Sequence, residues 1–472
     1  MNALLDRMQF RADPLADATI ADILGLWSQP VPNTPAAQPM LATNWQPHWQ
    51  KLATVNRMFE QWPDNRSLAS WRAAGSGLAP EMGAPLEHFV DTAQRLPDWA
   101  DADKLERAET LFMEYGALSV TMLFCSSLPE CYVIPDLAAV LHVTGQLEKH
   151  TSYRIRATGA MIFPVMMRGG LTAPDGGGVA QICKVRLIHA TIRNLILRGS
   201  PEAAAADAGA VPTMPAMAGA NNLHQALFAH GWKTAEEGLP CNQEELAYTL
   251  LTFSYVFLRS MRKLGLALSR ADEEAYLHTW NVAGHILGIE RELMADTMEA
   301  AEKLFARMQA RGRADRRLRP EATDPRPALG TALMQSMEQV IPLGAVKPFP
   351  VLLTRFLCGA DSSQDLGLNG RTSWISRLLF TTCMLAARMV DSLVRLVYPG
   401  FSIIRFITRV LGYHLISKLL MDQTRPLNLP LHLRSRVETM MDCWGTDPKA
   451  PAWMNTLEDR VTVNGSWKTS KP

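Results

Sequence analysis

Apolar residues recur at spacings of three and four along most of the chain after about residue 45, and alternating apolar–polar runs are rare. This spacing places apolar side chains on one face of an α-helix. Prolines and glycines interrupt the pattern and divide it into segments. The sequence therefore predicts an all-α protein, with helices expected over 106–124, 136–147, 150–167, 179–198, 243–264 and 271–288.

Breaks in the helical pattern also predict how the chain is organised. A short amphipathic helix over 1–28 precedes a proline-rich arm, and a run rich in arginine and proline follows residue 303. A solvated helix end with a linker is the simpler interpretation of that run, and a phosphate- or membrane-facing patch is the other. The expected divisions are an N-terminal extension and linker (1–59), a helical core (60–310), a charged linker (311–330), a C-terminal helical block packing on the core (331–435) and a polar, poorly ordered tail (436–472).

Composition excludes several classes of protein. The chain has 472 residues with 47 Lys and Arg against 46 Asp and Glu, so the net charge is +1. A general nucleic-acid binder carries a strong basic excess, and no nucleic-acid partner is expected. The seven cysteines include no CxxC pair. Zinc ribbons, thioredoxin-type sites and covalent attachment of haem through CxxCH are therefore excluded, and the wide spacing favours a reducing compartment.

The hydrophobic runs predict a cytoplasmic protein. The N-terminus has no apolar run of signal-peptide length. The most apolar region, 376–421, is interrupted by charged residues such as Arg377, Arg388 and Asp391. We expect an interfacial or buried helix pair there, and peripheral contact with a membrane is an open alternative. The sequence leaves the oligomeric state open.

The main candidate site lies in the expected helix 179–198. Arg186, His189 and Arg193 lie on one helical face, since they are separated by three and four residues. Imidazole can ligate a metal, and two guanidinium groups can bind carboxylates such as haem propionates. The alternative is a core histidine beside two arginines that anchor neighbouring helices.

A second candidate lies one helix earlier. Arg154 and Thr158 are four residues apart and share a helical face, where Thr158 could orient a polar ligand or be an ordinary helix threonine. Elsewhere, Asn242 is expected to cap a helix with Glu245 as its capping-box partner. His278 and His285, about 10 Å apart along one helix, are too distant to share a metal and are interpreted as core groups. HExxH, P-loop and GxSxG motifs are absent.

The order of several motifs resembles the catalytic domain of the MpaB-type and latex-clearing (rubber oxygenase) family. The resemblance covers about residues 60–435. The motifs are LPECY (128–132), TGQL (144–147), YRIRAT (153–158), VRLIHATIR (185–193), LPCNQEELAYTLLTFS (239–254), YLHTWNVAGHILGI (276–289), LCGADSSQDLGL (357–368) and RPLNLPLHLR (425–434).

This resemblance implies an oxygenase with non-covalent haem b on an elaborated globin-like all-α fold. His189 matches the proximal haem ligand and the metal-binding residue, with Arg186 and Arg193 placed to hold the propionates. Arg154 and Thr158 match an Arg-x-x-Lys-Thr element and would act on dioxygen or position a polar group. Ala157 replaces the lysine of that element, so we expect a distal side without a lysine ligand.

The same replacement bears on the substrate. With Ala157 in the lysine position, a smaller lipophilic alkene, isoprenoid- or lipid-like, is preferred to polyisoprene as the partner of O2. The expected reaction is O2 addition or oxidative cleavage of a carbon–carbon double bond. The alternatives are a non-catalytic haem-binding protein and a helical lipid-binding protein at the membrane surface.

Overall fold

A computed structural model confirms the all-α prediction. Most of the described residues are helical, and Ala210–Val211 pairs antiparallel with Trp232–Lys233 as a two-stranded ribbon among them. The structure describes residues 1–27, 46–143, 151–202, 204, 210–214, 223–318, 324–341, 347–370, 372–394, 396, 401–415 and 450–462. The motifs TGQL (144–147) and RPLNLPLHLR (425–434) lie outside these ranges.

The described residues of the first half of the chain form eleven α-helices. They are α1 (Asn2–Met8), α2 (Pro14–Leu24), α3 (Gln46–Met58), α4 (Asn65–Ser70), α5 (Pro80–Ala93), α6 (Ala102–Glu114), α7 (Gly116–Met122), α8 (Leu128–Cys131), α9 (Pro135–Val143), α10 (Thr151–Met166) and α11 (Gly178–Leu197). A 3₁₀ turn spans Phe59–Gln61, and a π-helical turn spans Leu123–Ser127 between α7 and α8.

The second half continues with short helices and then longer ones. They are α12 (Leu223–Ala229), α13 (Thr234–Glu237), α14 (Gln243–Phe253), α15 (Tyr255–Lys263), α16 (Arg270–Ile286), α17 (Met298–Leu318), α18 (Arg326–Val340), α19 (Phe349–Cys358), α20 (Ala360–Asp365), α21 (Trp374–Val394), α22 (Ile403–Leu415) and α23 (Ala452–Thr462). A 3₁₀ turn spans Arg291–Leu293.

Two helices predicted as continuous are broken in the structure. The expected helix 106–124 ends at Glu114, and the chain then turns by 89° into the segment that contains α7. The expected helix 243–264 is interrupted at Ser254, where α14 ends and α15 begins. Both sides of each break bury apolar residues in the same core, so a continuous apolar pattern gave no sign of the bend. The predictions for α10, α11 and α16 agree with the structure within about two residues.

The N-terminal helix α2 is built into the protein interior. Asp13 caps it by accepting a hydrogen bond from the Ala16 amide at 3.3 Å, and Ile20 and Ile23 are fully buried. The helix packs against both α5 and α11. A boundary at residue 59 remains a prediction, but α2 contributes to the same hydrophobic core as the helices after it.

The C-terminal helices pack on the earlier ones through buried polar contacts as well as apolar ones. α22 lies along α7, and the Thr121 hydroxyl donates to the Thr408 carbonyl at 2.8 Å. The fully buried Glu130 carboxylate, in the LPECY motif, accepts hydrogen bonds from Arg259, Gln309 and Ser362 at 2.6–2.9 Å. Because a buried charge is costly unless it is bonded, this network fixes α8 against α15, α17 and α20.

The region predicted as a charged linker, 311–330, is helical at both described ends. α17 extends to Leu318 and α18 begins at Arg326. Several of its described arginines are bonded and not freely solvated: Arg311 pairs with Glu244 at 3.0 Å, and Arg313 pairs with Asp365 at 2.8 Å. Arg317 is exposed. The tail expected to be poorly ordered contains α23, so that expectation is wrong for 452–462.

None of the helices in the described ranges is, by itself, both long and apolar enough to cross a bilayer. One bent pair of segments, Ala102–Glu114 and Leu118–Cys131, together has the length and the apolar composition of a membrane span.

Candidate functional site

The candidate site is built on a helical hairpin, α10 and α11, joined by a glycine-rich turn. The two helices pack against each other. A side chain at Gly170 would place its Cβ 2.2 Å from the Pro164 carbonyl oxygen, and one at Gly178 would place it 2.7 Å from the Gly170 carbonyl oxygen. The close approach of the backbone therefore requires glycine at both positions.

Two side chains outside the hairpin hold this turn. The Asn65 amide donates to the carbonyls of Gly170 and Ala173, both at 3.0 Å, and its oxygen accepts from the Ala180 amide at 3.2 Å. The Glu109 carboxylate accepts from the Gly169 amide at 2.8 Å. Burial raises the pKa of Glu109 above its usual value. The turn is thus fixed from α4 and from α6, which sets the angle at which α11 leaves it.

His189 lies half-buried near the middle of α11. One side of it is apolar: Val185 and Ile192, one turn away in each direction, are partly buried, and Ile188 is 41% exposed. At 100° per residue these three positions form one stripe beside the imidazole, and the two arginines lie on the other side of it. His189 therefore lies at the boundary between a half-open apolar surface and a buried polar one.

The polar side is an ion-paired interface with α2. Arg186 donates from Nε to Asp13 Oδ2 at 2.5 Å, from Nη2 to Asp13 Oδ1 at 2.8 Å, and from Nη1 to the Ile286 carbonyl at 2.9 Å. Gly288, with φ +88°, packs against this pair, where a Cβ would lie 2.7 Å from Asp13 Oδ2 and 2.8 Å from Arg186 Nε.

The second arginine repeats the arrangement two turns later. Arg193 is fully buried and donates to Asp17 Oδ1 at 2.7 Å and to the Cys241 carbonyl at 2.8 Å. Burial raises the pKa of Asp17 to about 6, against the lowering effect of Arg193. Both arginines thus anchor neighbouring helices, which is the alternative that the sequence left open. The predicted role of Arg186 and Arg193 in holding propionates stays a prediction, and their described bonds are to protein carboxylates and carbonyls.

Lys184 provides a different cation on the same helix. It is half-buried and lies on the far side of the apolar stripe from the two arginines, at 100° per residue. Burial lowers its pKa to about 8. With this pKa the amine stays mostly protonated at neutral pH, and a nearby anion would stabilise its charge further. The position therefore suits a carboxylate-bearing ligand lying over the stripe.

Arg154, Ala157 and Thr158 all lie on α10, as the sequence predicts. By helical rise, the segment 154–158 lies about 12–18 Å from the turn end of α10, and His189 lies about 16 Å from the start of α11. The hairpin therefore brings the YRIRAT and VRLIHATIR motifs to one level. Ala157 is exposed and Thr158 is half-buried, and the Arg154 side chain lies outside the described part of the structure.

The remaining sequence candidates do not join this site. Asn242 caps α14 by accepting from the Glu245 amide at 3.0 Å, as predicted. His278 is buried and accepts a hydrogen bond from the Asp101 amide at 2.9 Å, and His285 is exposed. Burial lowers the pKa of both histidines. His278 thus lies in the core, as interpreted from the sequence, whereas His285 is exposed and that interpretation is wrong for it.

Three residues of the site were missed from the sequence. Asp13 and Asp17 lie more than 170 residues from their arginine partners, and the N-terminal helix was treated as an extension. The available signal was two acids one turn apart on a helix whose other residues are mostly apolar, since such acids are buried only when paired. Lys184 was overlooked because it lies off the face shared by His189 and the arginines.

The sequence profile described as "ER-bound oxygenase mpaB/B'/Rubber oxygenase, catalytic domain" matches residues 113–389, which include the whole α10–α11 hairpin. The chain belongs to the MpaB/rubber oxygenase family. It is accordingly an oxygenase, as the sequence resemblance implied. The "Rubber oxygenase" of Streptomyces sp. (strain K30) is 24% identical over 338 residues, covering 70% of this chain and 72% of the relative.

A solved structure supports the same assignment at the level of the fold. The structure titled "Structure of Latex Clearing Protein LCP in the closed state" matches with a TM-score of 0.56 and 17% identity, covering 92% of this chain and 90% of that one. The match extends well beyond the part of the chain that the profile covers. The MpaB/rubber oxygenase fold therefore accounts for the helical architecture, and its globin-like description stays a prediction.

Proposed function

We propose that the chain is a haem b-dependent oxygenase that acts on a lipophilic, unsaturated substrate. The observation that carries the proposal is the position of His189, half-buried at the edge of an apolar stripe on the family's central hairpin. An imidazole beside an apolar surface is a nitrogen donor that would suit the iron of haem. These residues fit the group, and His189 is the residue that would hold its iron.

The residues around His189 would bind different parts of the haem and of the reactants. Val185, Ile188 and Ile192 offer apolar contact to a flat macrocycle, and Lys184 offers a cation to its propionates. Thr158 and Arg154, at the level of His189 on the facing helix, would bind or position polar groups of the reactants. When bound, the haem would supply the redox chemistry for reaction with O2. The protein's part is to hold the ligand helix, to exclude water and to set the polarity opposite His189.

A lipophilic alkene is the substrate class that these features support. The family relative carries the name rubber oxygenase, which denotes action on a hydrocarbon polymer with double bonds. Ala157 in the lysine position separates this chain from the Arg-x-x-Lys-Thr pattern. We infer an isoprenoid- or lipid-like alkene smaller than polyisoprene, oxidised by O2 addition or by cleavage of its double bond.

An absorption spectrum tests the cofactor. Purified protein, reconstituted with haem b if necessary, is expected to show a Soret band that shifts on reduction and on addition of CO. His189→Ala should lose most of the bound haem or shift its Soret band, whereas His88→Ala, which alters an exposed histidine on α5, should change neither. Haem binding by His189→Ala with an unchanged spectrum would show that another residue is the ligand.

Oxygen consumption tests the activity separately. With haem-loaded protein, uptake of O2 is expected with a short unsaturated isoprenoid and to be slower with a polyisoprene emulsion. A red protein that consumes O2 with neither substrate would favour the alternative, a haem-binding protein without turnover. The observation that favours this alternative is the alanine at position 157, where the related pattern has a lysine.

A further inference from the structure

Helix α21 turns its apolar face towards solvent. Five large apolar side chains recur along it at helical spacing and are between 58% and 72% exposed: Trp374, Leu378, Leu385, Met389 and Leu393. At 100° per residue these positions fall within an arc of about 100°. The other positions on this arc, such as Thr382 and Ser392, are uncharged. A soluble surface rarely shows a continuous apolar strip along 21 residues of helix.

The opposite face of α21 packs against the rest of the protein, so the exposed strip is a second face and not the core-facing side of the helix. Phe380 and Ala387 are buried, and the Phe380 ring lies 5.6 Å from that of Phe349. Asp391 is buried and accepts hydrogen bonds from the Ser402 hydroxyl at 2.8 Å and the Ile403 amide at 2.6 Å, which caps α22. The helix is therefore anchored with a defined rotation about its axis.

The charges on α21 are asymmetric. Arg388 is exposed, and Arg377 is half-buried and bonded to the Thr372 hydroxyl at 3.1 Å. At 100° per residue both arginines border the apolar arc on the same side. The one acid in the helix sequence, Asp391, is buried on the inner face. The outward surface therefore combines an apolar strip with a cationic edge, which complements an anionic lipid leaflet.

We propose that α21 is a monotopic membrane-binding helix that lies in the surface of an anionic bilayer. Trp374, Leu378, Leu385, Met389 and Leu393 would enter the boundary of the acyl chains, and Arg388 would meet the lipid phosphates. A second copy of the chain fits less well, because the outward surface of α21 has no exposed acid to pair with the arginines of a partner. An antiparallel two-fold contact would also bring two cationic edges together. This assignment does not depend on the cofactor or substrate proposed above.

Vesicle sedimentation with the full-length protein tests the proposal. The protein should bind vesicles of mixed phosphatidylcholine and phosphatidylglycerol more tightly than vesicles of phosphatidylcholine alone, and salt should reduce the difference. The triple substitution Leu385→Gln, Met389→Gln and Leu393→Gln should weaken binding at least about tenfold, since it removes most of the insertable area. Arg388→Gln should weaken binding to the anionic vesicles about fivefold.

A matched control and a positional probe sharpen the test. Ala53→Gln on α3 and Ala310→Gln on α17 change exposed residues, leave the apolar strip of α21 unaltered, and should bind like the unaltered protein. Cys383 is exposed on α21, and the other cysteines of the described ranges are buried. Cys383 lies about 80° beyond the strip at 100° per residue, so the probe is placed on the strip itself. In a variant with Cys383→Ser, Cys443→Ser and Met389→Cys, an environment-sensitive dye on the introduced thiol should shift its emission to the blue when anionic vesicles are added.

Three results would overturn the proposal. They are a folded protein that does not bind anionic vesicles, binding that the triple substitution leaves unchanged, and a dimer that the triple substitution dissociates. Circular dichroism melts of each variant distinguish these results from a failure to fold. Because the altered side chains point outward, we expect melting temperatures close to that of the unaltered protein.

Discussion

Asp13 and Arg186 form a buried two-point ion pair that joins α2 to the helix carrying His189. The two hydrogen bonds measure 2.5 and 2.8 Å, and the side chains are 3% and 10% exposed. One turn along α2, Asp17 Oδ1 accepts a single hydrogen bond from Arg193 Nε at 2.7 Å. The candidate ligand helix is therefore positioned by charges from the first 17 residues of the chain, and its histidine lies between these ion pairs and the apolar stripe.

Asp13→Asn should destabilise the protein strongly. The substitution keeps an oxygen for the N-cap of α2 but leaves the Arg186 charge buried without a counter-ion, at a cost of about 3–5 kcal/mol. Urea unfolding measures the loss. Adding Arg186→Met to Asp13→Asn should recover part of it, because no unpaired charge then remains. Arg7→Ala, which removes an exposed pair with Glu292 at 3.9 Å, should change stability by less than about 0.5 kcal/mol. Equal effects of Asp13→Asn and Arg7→Ala would contradict this interpretation.

Ala157→Lys should change the ligand field of reconstituted haem. The residue is exposed on α10 at the level of His189 and occupies the lysine position of the related motif. A lysine there can supply a second nitrogen ligand, so the ferric spectrum should move towards that of a six-coordinate, low-spin haem. Ala157→Gln adds similar length without a basic nitrogen and should leave the spectrum unchanged. Identical spectra for the two variants would place position 157 away from the haem.

Gly170→Ala should unfold the hairpin turn. The added Cβ would lie 2.2 Å from the Pro164 carbonyl oxygen and 2.6 Å from the Val165 carbonyl oxygen, and neither backbone atom can move without distorting α10. We expect a loss of about 2–4 kcal/mol in the free energy of unfolding, measured by thermal or urea denaturation. Gly199→Ala is the control, since nothing lies within 4 Å of the Cβ built there. A turn that tolerates Gly170→Ala as well as Gly199→Ala would disprove the close packing.

Glu244→Gln should alter how stability depends on pH. Burial raises the pKa of Glu244 to about 7 in the folded protein, although Arg311 opposes the shift. Between about pH 4.5 and 7 the unfolded chain has lost this proton while the folded protein retains it, so stability falls as the pH rises through that window. Relative to Glu244→Gln, the unaltered protein should lose on the order of 1–3 kcal/mol between pH 5 and pH 7. If the melting temperatures of the unaltered protein and of Glu244→Gln changed with pH in the same way, the pKa of Glu244 would not be raised in the folded protein.

The sequence predicted the local parts of the site and missed the distant ones. α10 and α11 were predicted well because helical periodicity runs between strong breakers, Gly169 to Gly178 on one side and Gly199 to Pro201 on the other. The levels of Thr158 and His189 then follow from helix geometry. The turn after Glu114 and the break at Ser254 were not predicted. Gly116 lies at the first break, but the apolar pattern continues across it, and neither proline nor glycine lies at the second. The partners of Arg186 and Arg193 depend on how distant helices dock, which periodicity does not encode.

The position of Asp13 and Asp17 determines where this domain can be cut. The family profile begins at residue 113, yet the acids that neutralise Arg186 and Arg193 lie about 100 residues before that boundary. A fragment trimmed to the profile would retain two interior guanidinium groups and lose both carboxylates. Recombinant versions meant for spectroscopy or crystallisation should therefore begin upstream of Asp13. If a shorter fragment were inactive, the loss of the two carboxylates would explain it, and nothing would follow about the role of His189.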